Sequence, residues 1–236
     1  VGTAPKIAAV VFAFRILVTG MGTVHSDWAP MLAILAVASL VVGNLAAIMQ
    51  TNIKRMLAYS TVSHMGFILL AFMAGAVGFT AGLYYAITYA LMAAVSFGVL
   101  MVLSTKDIEC ENIKDLAGLN QRHAWFAFLM LLSMFSMAGI PPLMGFYAKF
   151  GVIMALLKQG HVWLSVFAVI MSLIGAFYYL RVVKVIYFDA PDHDQPVGSN
   201  YAAKFVLTVN AFLLLLWGIM PQTVIDWCAK ALENTL

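Results

Sequence analysis

Lys149 lies inside a long apolar stretch, where its side chain could take part in proton transfer. It follows Pro142 by seven residues, which places it about 10 Å along a helix beginning there. A lysine in hydrocarbon costs about 2.5–3.5 kcal/mol on insertion scales, and burial disfavours its charged form. Such a group can alternate between ammonium and amine, as a proton relay requires. A side chain that extends to the membrane surface is the alternative, but the length of the stretch favours the relay.

Two further basic side chains have the same potential. His64 lies eight residues into an apolar segment that begins at Met56, about 12 Å deep. It is either a proton relay or a neutral, hydrogen-bonded core histidine. Lys6 follows Pro5 and is either a second relay lysine or an ordinary lysine at a helix end. Arg15 lies nine residues further on, where it could pair with a carboxylate or extend to the surface. The residues alone leave these alternatives open.

Hydroxyl side chains follow the same apolar segments at helical spacing. In membrane helices such groups usually join helices or bond to the preceding turn. Stripes that converge with a histidine and a lysine would instead indicate a hydrated path. The candidates are Ser60 and Ser63 beside His64, then Tyr85, Thr88, Tyr89 and Ser96, and finally Ser133 and Ser136.

The composition indicates an integral membrane protein. Of the 236 residues, 64% are apolar and only 10% are charged, whereas soluble domains have about 45–50% and 25%. The apolar runs are long and continuous, which favours helices over a barrel of alternating strands. A net charge of +3 gives no indication of nucleic acid binding, and Cys110 and Cys228 are too few to support a disulfide framework. Because the chain opens with Val1, it resembles a piece of a longer protein.

About seven apolar segments are long enough to cross a membrane, so the predicted fold is all-α with about seven transmembrane helices. The fifth exceeds the length of one span and contains Gly139, Pro141 and Pro142, so we expect two half-helices with an irregular stretch between them. Such a break is tolerated only inside protein or beside a hydrated cavity. The predicted segments are 4–24, 30–49, 56–77, 81–103, 124–157, 162–188 and 202–220.

The distribution of lysine and arginine predicts an orientation. If the segments alternate, the side that contains Lys54 has eight cations and the other side has Lys158 and Lys230. The positive-inside rule then places the Lys54 side in the cytoplasm and the C-terminus opposite. Two longer connections lie on the Lys54 side. Residues 106–123 are predicted to form a short amphipathic surface segment, and residues 189–200 a loop.

Acidic residues and cofactor motifs are missing from the predicted spans. All ten Asp and Glu residues fall in loops or tails, so a buried lysine must find its counter-charge on another chain or stay neutral. The sequence has no paired cysteine motif, no metalloprotease motif, no glycine-rich phosphate loop and no paired haem histidines. We therefore expect this chain to bind no metal and no cofactor.

Three motifs resemble the antiporter-like subunits of respiratory complex I, the proton-translocating NADH:quinone oxidoreductase. Residues 43–66 read GNLAAIMQTNIKRMLAYSTVSHMG, and residues 138–150 read AGIPPLMGFYAKF, like the broken helix of that family. Residues 172–191 read SLIGAFYYLRVVKVIYFDAP, and the start APKIA is also similar. The resemblance covers essentially the whole chain.

The resemblance implies two inverted five-helix repeats, of which this chain would hold the C-terminal part. Residues 1–24 would be the last helix of the first repeat. Residues 25–188 would be the second repeat, with its broken helix at 124–157, and residues 189–236 a loop and the final transmembrane helix. Lys149 would match the broken-helix lysine, Lys6 the central lysine, and Lys54 and His64 positions along a hydrated axis. The glutamate of the first repeat and its paired lysine would precede Val1.

The expected function is therefore that of a multi-pass inner (plasma) membrane subunit that translocates protons through Lys6, His64 and Lys149. NADH, FMN, iron–sulfur clusters and quinone would bind elsewhere in the complex, and the partners would be other membrane subunits, lipid, water and protons. Two alternatives remain open. The chain could belong to a multi-subunit cation/proton antiporter or a membrane-bound hydrogenase, or it could be a scaffold that only packs against other subunits.

Overall fold

The computed structural model describes residues 4–104, 110–191 and 201–233, and within these ranges the chain is helical and contains no strand. The all-α prediction is therefore confirmed. Asn52 and Asn112 form an isolated antiparallel bridge. Lys106 and most of the predicted 189–200 loop lie outside the described residues. The helices are α1 (Ala4–Phe14), α2 (His25–Met49), α3 (Ile53–Met73), α4 (Gly75–Leu103), α5 (Leu119–Ala138), α6 (Met144–Lys158), α7 (Val162–Phe188), α8 (Tyr201–Ile219) and α9 (Pro221–Glu233).

Five described helices are long and apolar enough to cross a membrane unaided: 22–49, 53–73, 75–103, 162–188 and 201–219. The other two predicted spans differ from simple helices. The fifth is the pair α5 and α6, which are separated by the predicted break. The first is the 11-residue α1 followed by a π-helical turn at Arg15–Gly20. Length and composition thus support five spans directly, and the first and fifth predicted segments are interrupted elements.

Helix α4 lies at the centre of the bundle, where it contacts α1, α3, α5, α6, α8 and α9. Helices α2 and α3 form an antiparallel hairpin whose close approach depends on Gly43. A Cβ atom at that position would lie 3.0 Å from the Ser63 Cα atom. Helix α7 packs against α2 and α5. The broken pair α5–α6 therefore lies between α4 and α7, inside protein, as a break at membrane depth requires.

Polar contacts join the connections on the Lys54 side. Lys54 pairs with Glu111 at 3.6 Å between Nζ and Oε1. Arg181 of α7 donates hydrogen bonds to the carbonyl oxygens of Ile48 and Gln50, which end α2. A cation at a helix C-terminus stabilises the unpaired carbonyls there. These contacts fix the end of α7 against the α2–α3 turn.

The amphipathic surface segment contains a short 3-10 helix at Ile113–Leu116. Ile113 and Leu116 are buried, while Lys114 and Asp115 are exposed. Further along, His123 has a non-helical backbone (φ −146°, ψ 72°) within α5. The regular part of α5 therefore begins at about residue 124, the boundary that the apolar pattern predicts.

Helix α9 (Pro221–Glu233) lies beyond the last predicted segment, which ends at residue 220. Val224 and Cys228 face the protein, and Asp226 and Lys230 are exposed. This four-residue spacing after a proline is the signal that could have identified it. Helix α9 follows α8 and packs on α4, at the end of the bundle opposite Lys54.

The two thiols should react slowly with alkylating reagents. Cys110 and Cys228 are free and buried, and burial raises the pKa of each thiol to about 11 from 9.0. The thiolate population at pH 7 is then about 100-fold smaller than for an ordinary thiol, and the rate falls with it. Iodoacetamide labelling followed by mass spectrometry measures this rate. Labelling that is equally fast before and after denaturation would contradict the burial of these thiols.

Candidate functional site

The site is built around the break between α5 and α6. Helix α5 ends at Ala138, and α6 begins at Met144. Gly139 has a left-handed backbone (φ +87°), which glycine adopts without steric cost. The Ser136 hydroxyl accepts a hydrogen bond from the Gly145 N–H at 3.1 Å. This contact satisfies one unpaired donor at the start of α6.

Lys149 lies five residues into α6 and points back to the break. It is 7% exposed, and its Nζ donates hydrogen bonds to the Ala138 carbonyl and to the Ser172 hydroxyl, both at 3.0 Å. The Phe67 ring centroid lies 5.7 Å from Nζ. Among the described residues no carboxylate pairs with Lys149. The C-terminal end of α5, with its partial negative charge, takes the place of a counter-ion.

His64 lies in the buried core between three helices. Its Nδ1 is 2.8 Å from the Tyr85 hydroxyl of α4, and its Nε2 is 2.9 Å from the Tyr179 hydroxyl of α7. A neutral imidazole has one donor and one acceptor nitrogen, so one tyrosine accepts from the ring and the other donates to it. A proton that enters at one nitrogen can therefore leave from the other.

Lys6 approaches the same region from α1. Its Nζ donates a hydrogen bond to the Tyr89 hydroxyl at 3.2 Å and lies 4.7 Å from the centroid of that ring. The Tyr89 hydroxyl also forms a hydrogen bond with Thr61. The rings of Tyr89 and His64 are 5.0 Å apart between centroids. Tyr89 therefore separates Lys6 from His64.

A small cavity connects His64 with Lys149. Its volume is about 10 Å³, close to the space that one buried water needs. Polar side chains surround it, and a buried water typically makes about three hydrogen bonds. Polar residues that line it are Asn44, Ser63, His64, Lys149, Ser172, Tyr178 and Tyr179. The order along the site is thus Lys6, Tyr89, His64, cavity and Lys149.

Several predicted supporting residues have other partners. Lys54 lies at the surface, where it pairs with Glu111, and it is not part of the site around His64 and Lys149. Ser133 bonds to the Ser96 hydroxyl at 2.6 Å and to the Met92 carbonyl, which joins α5 to α4. Ser60 donates to the Leu57 carbonyl of its own helix. These serines are in the positions expected of groups that join or back-bond helices.

Some of the remaining predicted residues lie outside the site, and others lie within it. Ser136 stabilises the break rather than the cavity. Arg15 is exposed at the start of the π-helical turn, away from the buried cluster. Ser63 lines the cavity beside His64, the Tyr85 hydroxyl bonds to the imidazole, and the Tyr89 ring packs against it.

Four further polar residues of the site were not among the predicted residues: Asn44, Ser172, Tyr178 and Tyr179. Tyr178 donates to the Asn44 side-chain oxygen at 3.0 Å, and Asn44 donates to the Met171 carbonyl. Ser172 and Tyr179 lie seven residues apart, on one face of α7. This polar stripe in an otherwise apolar helix is a signal that could have identified them.

Gly139→Ala tests how closely the break surrounds Lys149. A Cβ atom there would lie 3.1 Å from Lys149 Cδ, and alanine disfavours the left-handed backbone by about 1–2 kcal/mol. We expect the free energy of unfolding in detergent to fall by at least that amount. Gly22→Ala is the matched control, because a Cβ at Gly22 meets no atom within 4 Å. Equal stability of the two variants would contradict the close contact.

Comparison with known proteins places this arrangement in a family. A family model described as NADH:quinone oxidoreductase/Mrp antiporter, TM, matches residues 1–175. A protein of Neisseria gonorrhoeae named NADH-quinone oxidoreductase subunit N is 84% identical over 237 positions, covering 100% of this chain and 49% of that protein. The chain spans about half the length of the curated relatives it matches, and it corresponds to the C-terminal half of this one.

Solved structures share the fold. A chain of respiratory complex I from Thermus thermophilus with bound aureothin superposes with a TM-score of 0.75 at 31% identity, over 84% of this chain and 45% of that one. A chain of the Mrp complex from Dietzia sp. gives a TM-score of 0.84 at 21% identity, over 97% of this chain and 51% of that one. The predicted antiporter-like fold is confirmed.

Proposed function

The chain belongs to the NADH:quinone oxidoreductase/Mrp antiporter transmembrane family, and from this we propose that it is part of subunit N of a proton-translocating NADH:quinone oxidoreductase. Within it, Lys6, His64 and Lys149 transfer protons. The name and the 84% identity of the Neisseria gonorrhoeae relative support this choice over an antiporter or a hydrogenase. The likeness to the Mrp complex, at 21% identity, supports the fold alone.

The line of basic side chains that has no carboxylate partner among the described residues is the observation that supports the proposal most. In the described part of the chain Lys149 donates to a carbonyl and a hydroxyl, and both acceptors can bind either the ammonium or the amine. Among the described residues, no ion pair therefore holds the proton on Lys149. A lysine held in a fixed ion pair, as in a purely structural scaffold, would remain charged.

The contacts support a proposed order of proton transfer along the site. Lys149 exchanges a proton with a water in the adjacent cavity, and that water or the Tyr179 hydroxyl exchanges it with His64. The Tyr89 hydroxyl accepts a hydrogen bond from Lys6, and the Tyr89 ring packs against the His64 ring, so the charge of Lys6 acts on His64 across this ring. Because like charges repel in a medium of low dielectric constant, a proton on Lys6 disfavours one on Lys149. A change of charge beside Lys6 would thereby bias the protonation of Lys149.

The proposed setting is the inner (plasma) membrane, with other membrane subunits of the complex as partners. The Lys54 side carries Arg55, Lys114, Arg122 and Arg181 in addition to Lys54, and we assign it to the cytoplasm by the positive-inside rule. The C-terminus then lies on the opposite side. NADH, FMN, iron–sulfur clusters and quinone are assigned to other subunits.

The proposed function can be tested in sealed inverted membrane vesicles by measuring proton uptake. The vesicles contain the full-length subunit in its complex. NADH oxidation with quinone should acidify the vesicle interior, as followed by quenching of a pH-sensitive dye, and removal of sodium should not change this. Lys6→Ala should lower the acidification while NADH oxidation by a water-soluble acceptor, which reports assembly, stays constant. Sodium-dependent proton exchange without NADH would instead indicate an antiporter. Full acidification by Lys6→Ala would exclude Lys6 from the path.

A further inference from the structure

A second cavity lies on the face of α6 that points away from Lys149. Its volume is about 320 Å³, far larger than the cavity beside His64. Residues of α6 on one helical face form one wall, the first turns of α4 form another, and Ile225 of α9 closes the end away from Lys54. We call this the α4–α6–α9 cleft, and its lining residues are Val77, Thr80, Ala81, Tyr84, Tyr147, Gly151, Met154, Ala155, Lys158 and Ile225.

Tyr84 brings an unsatisfied hydroxyl to this cleft. The residue is 2% exposed, and its hydroxyl has no hydrogen-bond partner among the described residues. A buried hydroxyl without a partner is unfavourable. Since Tyr84 lines the cleft, a ligand in the cleft could accept that hydrogen bond. The protein itself thus leaves one donor for a bound molecule.

Lys158 brings a cation to the same cleft. It ends α6 and is exposed, and within the part of the chain that the structure describes no acidic side chain pairs with it. The acid nearest to the cleft in sequence, Asp226, follows Ile225 and accepts a hydrogen bond from Gln222 on the exposed side of α9. The cleft therefore presents a positive charge at the end of α6.

The rest of the wall is apolar, with Val77, Ala81, Met154 and Ile225. A free phosphate or a water cluster would leave these surfaces without a partner. A molecule with an anionic head and a hydrocarbon tail fits the cation, the hydroxyl and the apolar wall. Its head can pair with Lys158, one of its oxygens can accept a hydrogen bond from Tyr84, and its tail can fill the apolar part. The end of the bundle at which the cleft lies, beside an amphipathic helix, is where lipid head groups meet a membrane protein.

We propose that the α4–α6–α9 cleft binds one anionic phospholipid. The phosphate pairs with Lys158, one acyl chain lies between α4 and α6, and the Tyr84 hydroxyl donates a hydrogen bond to an oxygen of the same lipid. Such a lipid would fill the space between α6 and α9 and hold the second half of the broken helix in place. The site uses neither Lys6, His64 nor Lys149, so it is independent of the proposed proton path.

Native mass spectrometry of the full-length protein with added phosphatidylglycerol or phosphatidylcholine tests the site. We expect one tightly held phosphatidylglycerol and weaker retention of phosphatidylcholine. Lys158→Gln should weaken phosphatidylglycerol binding about fivefold, and Tyr84→Phe should weaken it by a smaller factor. Lys230→Gln, which alters an exposed lysine of α9 outside the cleft, is the matched control and should bind like the unmodified protein.

Gly151→Leu tests the position of the acyl chain. A Cβ atom at Gly151 would be 3.6 Å from the Ala81 Cβ atom, an ordinary contact, so the leucine side chain can enter the cleft without displacing backbone. We expect the tightly held lipid to be lost while the protein stays folded, as judged by its thermal unfolding. Unchanged lipid retention in Gly151→Leu and Lys158→Gln, equal binding of the two lipids, or displacement by millimolar inorganic phosphate would each overturn the proposal.

Discussion

Lys149→Ala is expected to stop proton transfer through this part of the subunit while the assembly persists. Lys149 is the titratable residue among the described polar side chains at the break, and its hydrogen-bond partners there are a carbonyl and a hydroxyl. Neither of them can take over the exchange of a proton near neutral pH. Loss of a positioned acid–base group lowers transfer at that step by about 100-fold or more. Dye quenching in sealed vesicles measures the effect, normalised to NADH oxidation.

Replacement of Lys149 by methionine should not reduce stability, which separates a functional lysine from a structural one. A lysine in hydrocarbon without a carboxylate costs about 2.5–3.5 kcal/mol on insertion scales, and an apolar residue of similar volume does not carry that cost. Lys149→Met, which fills the space that alanine would leave empty, should therefore unfold at the same temperature as the unmodified protein or higher.

Lys204→Ala is the matched control for Lys149, since Lys204 is an exposed lysine in α8 and should affect neither property. Undiminished pumping in Lys149→Ala would contradict the role of this lysine. A loss of assembly in Lys149→Met that Lys204→Ala does not show would indicate a structural role instead.

His64→Ala is expected to have the second largest effect, because His64 is the titratable group between the two lysines. Its imidazole contacts hydroxyls on two other helices, so its removal interrupts transfer and also leaves two buried hydroxyls unpaired. Interhelical hydrogen bonds in membranes are worth about 0.6 kcal/mol each, up to 1.7. We therefore expect lower pumping together with a loss of about 1–2 kcal/mol in the free energy of unfolding.

Tyr85→Phe separates these two effects of His64→Ala. It removes one hydrogen bond but leaves the imidazole and its contact with Tyr179. The stability of this variant should fall by about half as much as that of His64→Ala, with a smaller decrease in pumping. If His64→Ala pumps as well as Tyr85→Phe, the imidazole is a structural group of the core and the relay bypasses it.

Much of the fold could be predicted because it depends on local chemistry. Long apolar runs identify spans, and two adjacent prolines between glycines prevent a continuous helix, so the break at Gly139 to Pro142 follows from the sequence. The amphipathic α9 was missed because it is polar on one face and short, and hydropathy alone does not detect it. The π-helical turn after α1 also has no clear signature in composition.

Residue types and their spacing are sufficient to predict a membrane bundle with a broken helix and three basic groups inside apolar segments. Each of these features depends on residue type and short-range spacing, and both can be read directly from the amino-acid sequence. The resemblance to a family also rested on such short motifs, and comparison with relatives confirmed it.

Which of these groups come into contact depends on the packing of the helices. His64 reaches Tyr179 across 115 positions, and Lys6 reaches Tyr89 across 83. Such contacts depend on the order, crossing and rotation of packed helices, which no local pattern specifies. For the same reason Lys54, part of a motif that resembles the family, lies at the surface, while Ser172 of α7 completes the surroundings of Lys149.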